Sequence, residues 1–132
     1  MRYMLDTNIC IYIIKNKPKK VIIELKRHKP SEICVSAITY AKLTYGVEKS
    51  MAVEKNRLAL ALLFSNIEVL NFDIKAAIHY GKIRAYLEKQ ETPIGPLYMM
   101  IAAHAMSLGY TVVTNNIKEF ERVPDLKLEN WA

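Results

Sequence analysis

The chain has 132 residues, 52% of them hydrophobic, with only 4 Gly and 5 Pro. This composition excludes a disordered protein and fits one globular domain over residues 1–132. The sequence has no apolar run of roughly 20 residues, the length needed to span a membrane, and we expect no signal peptide. We therefore expect a cytoplasmic protein. The 19 Lys and Arg against 13 Asp and Glu give a formal charge of +6, which favours a polyanionic partner such as nucleic acid.

The N-terminal stretch YMLDTN predicts a buried strand that runs into a helix. The triplet YML is rich in strand formers, and Asp6-Thr7-Asn8 is typical of a helix cap, with NICIYIIKN as the first helix. A carboxylate at this position either caps the helix or belongs to a site. Taken without context, the local pattern favours the cap.

A strongly basic segment follows, KNKPKKVIIELKRHK, in which Glu24 is the one acid. Pro18 is placed to open a second helix, VIIELKRH, and we expect His28 to be exposed. Such a stripe is either a solvated helix face or a surface that binds a polyanion, and the basic charge of the whole chain favours nucleic acid. Its basic residues are Lys15, Lys17, Lys19, Lys20, Lys26, Arg27 and Lys29.

The middle of the chain alternates short apolar strands with helices. Residues 33–36, ICVS, predict a strand, and the helix 37–46 after it is expected to end at Gly46, a good C-cap. Residues 52–66 predict a further helix. IEVLNF is the next strand, and Asp73 is placed to cap the long helix IKAAIHYGKIRAYLEKQ.

The last third predicts a buried helix, LYMMIAAHAMSLG, closed by Gly109, and then a fourth strand, YTVVT. The apolar residues of the tail are expected to pack on the core: Phe120, Leu126, Leu128 and Trp131. Strands that alternate with helices indicate parallel β-α units. The predicted class is therefore α/β, with a central, mostly parallel sheet and helices on both faces.

A site in such a sheet is expected beyond the carboxyl ends of the strands. The first strand ends at Asp6, and the last runs into VTNNIKEF, which supplies Thr114, Asn115, Asn116 and Glu119 at the same edge. Mg²⁺ and Mn²⁺ prefer clustered oxygens of this kind. Thr7 and Asn8, with Thr114 and Asn115, are candidates to orient a metal-bound water or bind phosphate. No Gly-rich phosphate loop follows the first strand, which argues against a nucleotide-binding fold.

Several other polar residues have two interpretations each. In the helix 37–46, Lys42 shares a stripe with Ile38 and Tyr45, so it either reaches out to solvent or faces a polar pocket. His79 and His104 lie on apolar helices, where a packed, hydrogen-bonded role is favoured over catalysis. The two cysteines, Cys10 and Cys34, lie in apolar segments without zinc-ligand spacing and are expected to be buried and inert.

Four stretches together resemble a known family: YMLDTN, ITYAKLTYGVEKS, GKIRAYLEKQETPIGPLYMMIAAHAMSLG and VVTNNIKEFERVPDLKLENW. In order and spacing they resemble the VapC toxins, PIN-domain ribonucleases of type II toxin–antitoxin systems, over essentially the whole chain. The resemblance implies a single PIN-like α/β/α domain over residues 1–132 and Mg²⁺- or Mn²⁺-dependent cleavage of RNA. The implied target is tRNA, in several members initiator tRNA. It also implies a homodimer held inactive by a VapB-type antitoxin.

The chain departs from this family at two acidic positions. Asp6 matches the family Asp after the first strand, as a metal ligand, and Asn116 and Glu119 match the polar residue and acid after the last strand. The glutamate of an AELxYG-like motif is replaced by Lys42 in AKLTYG, and the aspartate that follows PIGP is replaced by Tyr98. We therefore expect weakened metal binding and catalytic activity that is lost or strongly impaired.

Two other functions stay open. The chain could be a non-catalytic module that binds antitoxin or RNA, and in either case we expect antitoxin affinity to depend mainly on an apolar groove. A phosphoryl-binding regulator of receiver type is disfavoured, because the middle strand ICVS supplies no phosphoacceptor aspartate.

Overall fold

The computed structural model describes residues 2–132 of the chain. A short 3₁₀ helix at Pro30–Glu32 leads into the second strand. The strands are β1 (Tyr3–Leu5), β2 (Ile33–Ser36), β3 (Glu68–Leu70), β4 (Thr111–Val113) and β5 (Leu128–Glu129). The helices are α1 (Thr7–Lys15), α2 (Lys19–Lys26), α3 (Ala37–Glu48), α4 (Val53–Leu63), α5 (Ile74–Lys89), α6 (Pro96–Leu108) and α7 (Ile117–Phe120).

The five strands form one sheet, parallel throughout, in the order β3-β2-β1-β4-β5. The chain moves outward from β1 to β2 and β3, then returns to the other side of β1 for β4 and β5. Such a reversal leaves a crevice outside the carboxyl ends of the two central strands. In the register of β1 and β4, Leu5 lies opposite Val113, which brings the next residues, Asp6 and Thr114, side by side.

Helices cover both faces of the sheet, as predicted. Successive strand residues point to opposite faces, so that Leu5 and Val113 join one apolar cluster with α1–α4, and Met4 and Val112 join another with α5 and α6. This alternation gives the predicted α/β/α architecture. Each helix within residues 2–132 is too short or too polar to span a lipid bilayer.

Side-chain caps fix where the helices begin. Asp6 accepts a hydrogen bond from Thr7 N at the start of α1, Ser36 accepts one from Ile38 N at the start of α3, and Asp73 accepts one from Ala76 N at the start of α5. The predicted Asp73 cap is therefore confirmed. Gly109 ends α6 in the left-handed conformation, as expected of a glycine C-cap.

The predicted C-cap at Gly46 is wrong. Helix α3 continues to Glu48. Val47 packs against the apolar cluster beneath α1–α4, and this contact favours the helical conformation beyond Gly46. The helix predicted over residues 52–66 is shorter at both ends. It covers Val53–Leu63, and Phe64 caps it before packing edge-to-face on Tyr40 with ring centroids 5.0 Å apart.

The C-terminal tail packs on the core, as predicted, and also adds a strand that was not predicted. Phe120 and Trp131 are buried, and Leu126 and Leu128 pack against the cluster beneath α5 and α6. The two residues of β5 extend the sheet beside β4. The tail thereby becomes part of the edge at which the strands end.

The expectation that His28 is exposed is wrong. Its ring stacks on Trp131 with centroids 5.0 Å apart and planes at 4°, and it lies 4.5 Å from the Tyr3 ring. Only 15% of its side chain remains exposed. The stack joins the end of α2 to β1 and to the tail, a contact that depends on the tertiary fold.

Both cysteines are buried free thiols, as predicted. Burial raises the pKa of Cys34 to about 11. Burial, reinforced by the nearby charge of Asp6, raises the pKa of Cys10 further above its usual range. Both thiols therefore stay protonated and unreactive near neutral pH.

His104 is buried and hydrogen-bonded, as predicted, while His79 is half-buried on α5. His104 Nδ1 lies 2.8 Å from Ser36 Oγ, which itself accepts from Ile38 N. We assign the Ser36 hydroxyl proton to this bond, so the neutral imidazole accepts it. Burial lowers the pKa of His104, and the charge of Asp73 offsets this only in part.

This histidine predicts a pH dependence of folding. The pKa of His104 in the folded chain lies below the ordinary 6.5, so the unfolded chain binds more protons as the pH falls. The contribution of His104 to the free energy of unfolding is therefore at its maximum above about pH 6.5 and is lost as the pH decreases below that value. In urea titrations from pH 7.5 to 5, we expect His104→Asn to show a shallower loss than the parent. Parallel pH profiles for the two proteins would contradict this assignment.

Candidate functional site

Asp6 lies at the carboxyl end of β1 with only 1% of its surface exposed. Its Oδ1 accepts a hydrogen bond from Thr7 N at 2.8 Å, and its Oδ2 accepts one from Thr114 Oγ1, also at 2.8 Å. The carboxylate is therefore both the N-cap of α1 and the link between β1 and the end of β4. The cap that the local pattern favoured is present, and it lies at the predicted edge.

Thr114 connects Asp6 to the loop after β4. While its hydroxyl donates to Asp6, the same oxygen accepts from Asn116 N at 2.9 Å, and Asn116 immediately precedes the short helix α7. Thr114 is fully buried. The Thr114 hydroxyl thus links the two predicted strand-end segments through their side chains, beside the backbone bond from Asp6 N to Val113 O at 2.8 Å.

The exposed rim of this edge is a network of amides. Asn8 Oδ1 accepts from Asn115 N at 3.4 Å, and Asn115 Nδ2 donates to the Tyr12 hydroxyl at 3.0 Å. Asn130 Nδ2, from the tail, donates to Asn115 Oδ1 at 3.2 Å. Tyr12 and Asn130 are not among the residues predicted for this edge. Tyr12 lies one helical turn after Asn8, a spacing that could have indicated it, whereas Asn130 depends on the unpredicted strand β5.

Lys42 reaches this edge from α3. Together with Thr7, the residue after Asp6, it lines a groove of about 370 Å³ between α1, α3 and α4. Its ammonium lies 4.9 Å from the centroid of the Tyr98 ring, within the range of a cation–π interaction. Within residues 2–132, Lys42 has no carboxylate within ion-pair distance. The Lys42 side chain therefore lines the groove between α1, α3 and α4 and places its ammonium over the Tyr98 ring.

Tyr98 is held at the start of α6 by packing. Its half-buried ring meets Phe120 edge-to-face with centroids 5.5 Å apart. A Cβ at Gly95 would come within 3.1 Å of Tyr98 Cδ2, so the glycine leaves room for the ring. The Tyr98 side chain thus lies at the rim of the core, as aromatic residues of apolar helices often do. It stands at the position that carries an acid in the family pattern.

Glu119 lies on α7 and is half-buried, with Oε2 4.0 Å from the Arg122 guanidinium. This separation is the outer limit of an ion pair, and a partly exposed pair of this kind contributes little stability. Its backbone amide donates to Asn116 O at 3.3 Å, which fixes it in the loop that Thr114 anchors.

These residues do not fit a divalent metal centre. Within residues 2–132, no three His, Cys, Asp or Glu side chains are grouped so that they could hold a metal ion. An ammonium and an aromatic ring occupy the two substituted positions, so neither position supplies a carboxylate oxygen beside that of Asp6. Mg²⁺ and Mn²⁺ require several oxygen ligands, which the present set does not supply.

Comparison with known proteins matches residues 3–126 to the PIN domain family. Over its full length the chain is 50% identical to the tRNA(fMet)-specific endonuclease VapC of Salmonella typhimurium, covering 99% of that protein. It superposes with a TM-score of 0.94 and 48% identity on a chain in the crystal structure of DNA-bound VapBC from Salmonella typhimurium, covering 100% of this chain and 99% of that one.

A second solved structure agrees. A chain of Rickettsia felis VapBC2, bound to a DNA fragment from its promoter, superposes with a TM-score of 0.93 at 42% identity, with 100% of both chains covered. The fold described above is thus shared with proteins of one family. The chain belongs to the VapC-type PIN-domain ribonucleases of toxin–antitoxin systems.

Proposed function

We propose that this chain is the toxin of a VapBC-type pair, directed at tRNA and in particular initiator tRNA, and that its own metal-dependent cleavage of RNA is lost or strongly impaired. The observation that carries the second part is the position of Lys42, which lines a groove with Thr7 and whose ammonium lies over the Tyr98 ring. Asp6, Asn116 and Glu119 are the proposed remnants of the catalytic set, with Asp6 as the remaining metal ligand. Thr7, Asn8, Thr114 and Asn115 are their proposed polar surroundings.

The substrate class is supported by the Salmonella relative, which is named for tRNA(fMet) cleavage and matches over the whole chain. An antitoxin partner is supported by the VapBC complexes, whose toxin chains match this one over their full length. In a family member with its acids intact, Mg²⁺ or Mn²⁺ would supply an activated water and stabilise the charge that develops on the phosphate.

Electrostatics explains why the change at position 42 is severe. Exchanging a carboxylate for an ammonium alters the local charge by two units close to where a cation would bind. At about 4 Å and an effective dielectric of 20, each unit-charge pair is worth roughly 4 kcal/mol. The tyrosine at position 98 adds a second loss, because a ring supplies no carboxylate oxygen at that position.

The test is cleavage of initiator tRNA in Mg²⁺ and in Mn²⁺ by this chain beside the Salmonella relative. We expect the relative to cleave and this chain to be slower by at least about a hundredfold, the loss expected from one missing interaction of roughly 3 kcal/mol in the transition state. Equal rates would overturn the proposed impairment.

The second candidate is a non-catalytic module that binds antitoxin or RNA, and the same lysine–tyrosine contact favours it. The two proposals share the fold and differ in what restoring the two acids would do. An inactivated nuclease would regain RNA cleavage, and a binding module would not. Binding of tRNA without cleavage is common to both.

Antitoxin affinity is proposed to depend on the groove between α1, α3 and α4. Its lining is largely apolar, and Ile14, 38% exposed, is accessible within it. Lys42 would repel a basic antitoxin side chain directed at Asp6, so apolar contact has to supply the affinity.

We expect Ile14→Glu to weaken binding to the antitoxin of the Salmonella VapBC complex by at least about tenfold, since it places a charge in an apolar interface. Ile78→Glu is the matched control, because Ile78 is 53% exposed on α5, in the opposite layer. Isothermal titration measures both. Parent affinity no better than that for an unrelated peptide would refute the proposed groove.

A further inference from the structure

We infer that the exposed face of α2 is a docking surface for the sugar–phosphate backbone of RNA, outside the strand-end site. The α2 face is defined by Lys19, Lys20 and Lys26, with Arg27 beside them. This inference rests on the proposed function for its ligand class and extends it to a part of the molecule that cleavage chemistry does not involve.

The helix buries one apolar side and exposes a side that carries lysines around Ile23, which is 56% exposed. Val21 is fully buried and Leu25 packs on the same cluster, so these residues fix the side that faces the core. Lys19 and Lys26, seven residues apart, lie on one outward stripe, and Lys20 is beside it. All three lysines are exposed. The charges therefore project from a helix that is held in place by its opposite side.

The positive charge of this face is almost unopposed. Glu24 is its one acid, and it is already engaged by Arg27 at 3.1 Å. Within the described part of the chain, Lys19, Lys20 and Lys26 have no carboxylate within ion-pair distance. Unpaired lysines on a rigid helix are suited to phosphates, because each contact releases a condensed counterion from the nucleic acid.

The α2 face is continuous with the strand-end edge. Lys20 and Arg27 line a shallow groove with Asn130 and Trp131 of the tail, and the tail is fixed there by the stack of Trp131 on His28. Asn130 then donates to Asn115 at the rim of the carboxyl edge. An RNA strand that lies along α2 therefore meets exposed amides on its way to the site.

The amide rim favours RNA over other polyanions. Amide groups and the Tyr12 hydroxyl can hydrogen-bond to base edges and to the 2′-hydroxyl, which unpaired loops of RNA expose. RNA offers phosphates to the lysines together with hydroxyls and base edges to the rim, whereas the lysines alone would suit any polyanion. The eight-residue helix is about 12 Å long, enough for two or three successive phosphates of a single strand.

The experiment compares two triple variants of the full chain. Lys19→Gln, Lys20→Gln and Lys26→Gln remove three charges from α2, and Lys75→Gln, Lys82→Gln and Lys89→Gln remove three exposed charges from α5 in the opposite layer. Glutamine keeps the helix propensity of lysine, so the fold is retained, which thermal unfolding verifies. Binding to initiator tRNA is measured by fluorescence anisotropy in EDTA between 50 and 200 mM KCl.

We expect the α2 variant to bind tRNA at least about tenfold more weakly at 100 mM salt, with a log–log salt slope lower by about 2, since each lost phosphate contact removes about 0.7 from the slope on single strands. The α5 variant should match the parent within about twofold. Equal effects of the two variants would overturn the α2 surface while leaving the proposed function intact.

Two further outcomes separate the proposals. If the parent binds no tRNA at all, RNA as the ligand class fails, and both the proposed function and the α2 surface fail with it. If the α2 variant keeps its tRNA affinity but loses affinity for the antitoxin, the face belongs to an acidic protein segment and the inference is overturned.

Discussion

The double variant Lys42→Glu, Tyr98→Asp is expected to cleave initiator tRNA in the presence of Mn²⁺, while the parent remains inert. Under the proposed function, restoring the two carboxylates removes the Lys42 ammonium and returns two acidic ligands to the proposed metal site. A divalent cation would then gain several favourable unit-charge interactions of roughly 4 kcal/mol each at close range. Cleavage should rise by at least about a hundredfold, and each single variant should recover much less, because the ligands act as a set.

The controls for this experiment follow from the site. Adding Asp6→Asn to the double variant should abolish the regained activity, and titration with Mn²⁺ should show binding by the double variant that the parent lacks. A double variant that folds, binds Mn²⁺ and cleaves no tRNA would move the chain to the class of non-catalytic modules. Cleavage by the parent as fast as by the double variant would show that our account of Lys42 and Tyr98 is wrong.

The substitution Thr114→Val is expected to lower the free energy of unfolding by about 2 kcal/mol or more, although it barely changes the shape of the side chain. The hydroxyl donates to the buried Asp6 carboxylate and accepts from Asn116 N, so its removal leaves one charged acceptor and one donor without a partner. Chemical denaturation measures the loss. The effect should also reach α7, since Asn116 is the residue immediately before that helix.

Thr114→Ser is the matched control because it keeps the hydroxyl and loses one methyl group. Its cost should be about 1 kcal/mol, the value of one buried carbon. If serine proves as destabilising as valine, packing rather than the hydrogen-bond chain holds the loop, and the connecting role that we assign to Thr114 is wrong.

The carboxyl edge of the sheet could be predicted because it depends on local pattern. Strands of three or four apolar residues, each followed by polar residues, place Asp6 and Thr114 together once the sheet is parallel, whatever the details of the helices. The period-two alternation of Met4 and Leu5 likewise assigns them to opposite layers.

The contacts between side chains of distant elements could not be predicted in the same way. Lys42 and Tyr98 lie on α3 and α6, and only the tertiary fold places the ammonium over the ring. Asn130 joins the rim because the two residues of β5 pair with β4. A strand of two residues is too short to show a periodic pattern in the sequence. The predicted exposure of His28 is wrong for a similar reason. Its burial depends on the stack with Trp131, which is distant in sequence and is not indicated by the residues next to His28.

The double engagement of Asp6 has a consequence for how related genes are interpreted. Because this carboxylate caps α1 and accepts from Thr114, a chain that has stopped cleaving RNA still gains stability from it. Selection for a stable protein would then preserve the aspartate long after selection for toxicity had ended. In genome surveys, an intact LDTN motif is therefore a poor marker of a live toxin, and the residues at positions 42 and 98 are the ones to inspect.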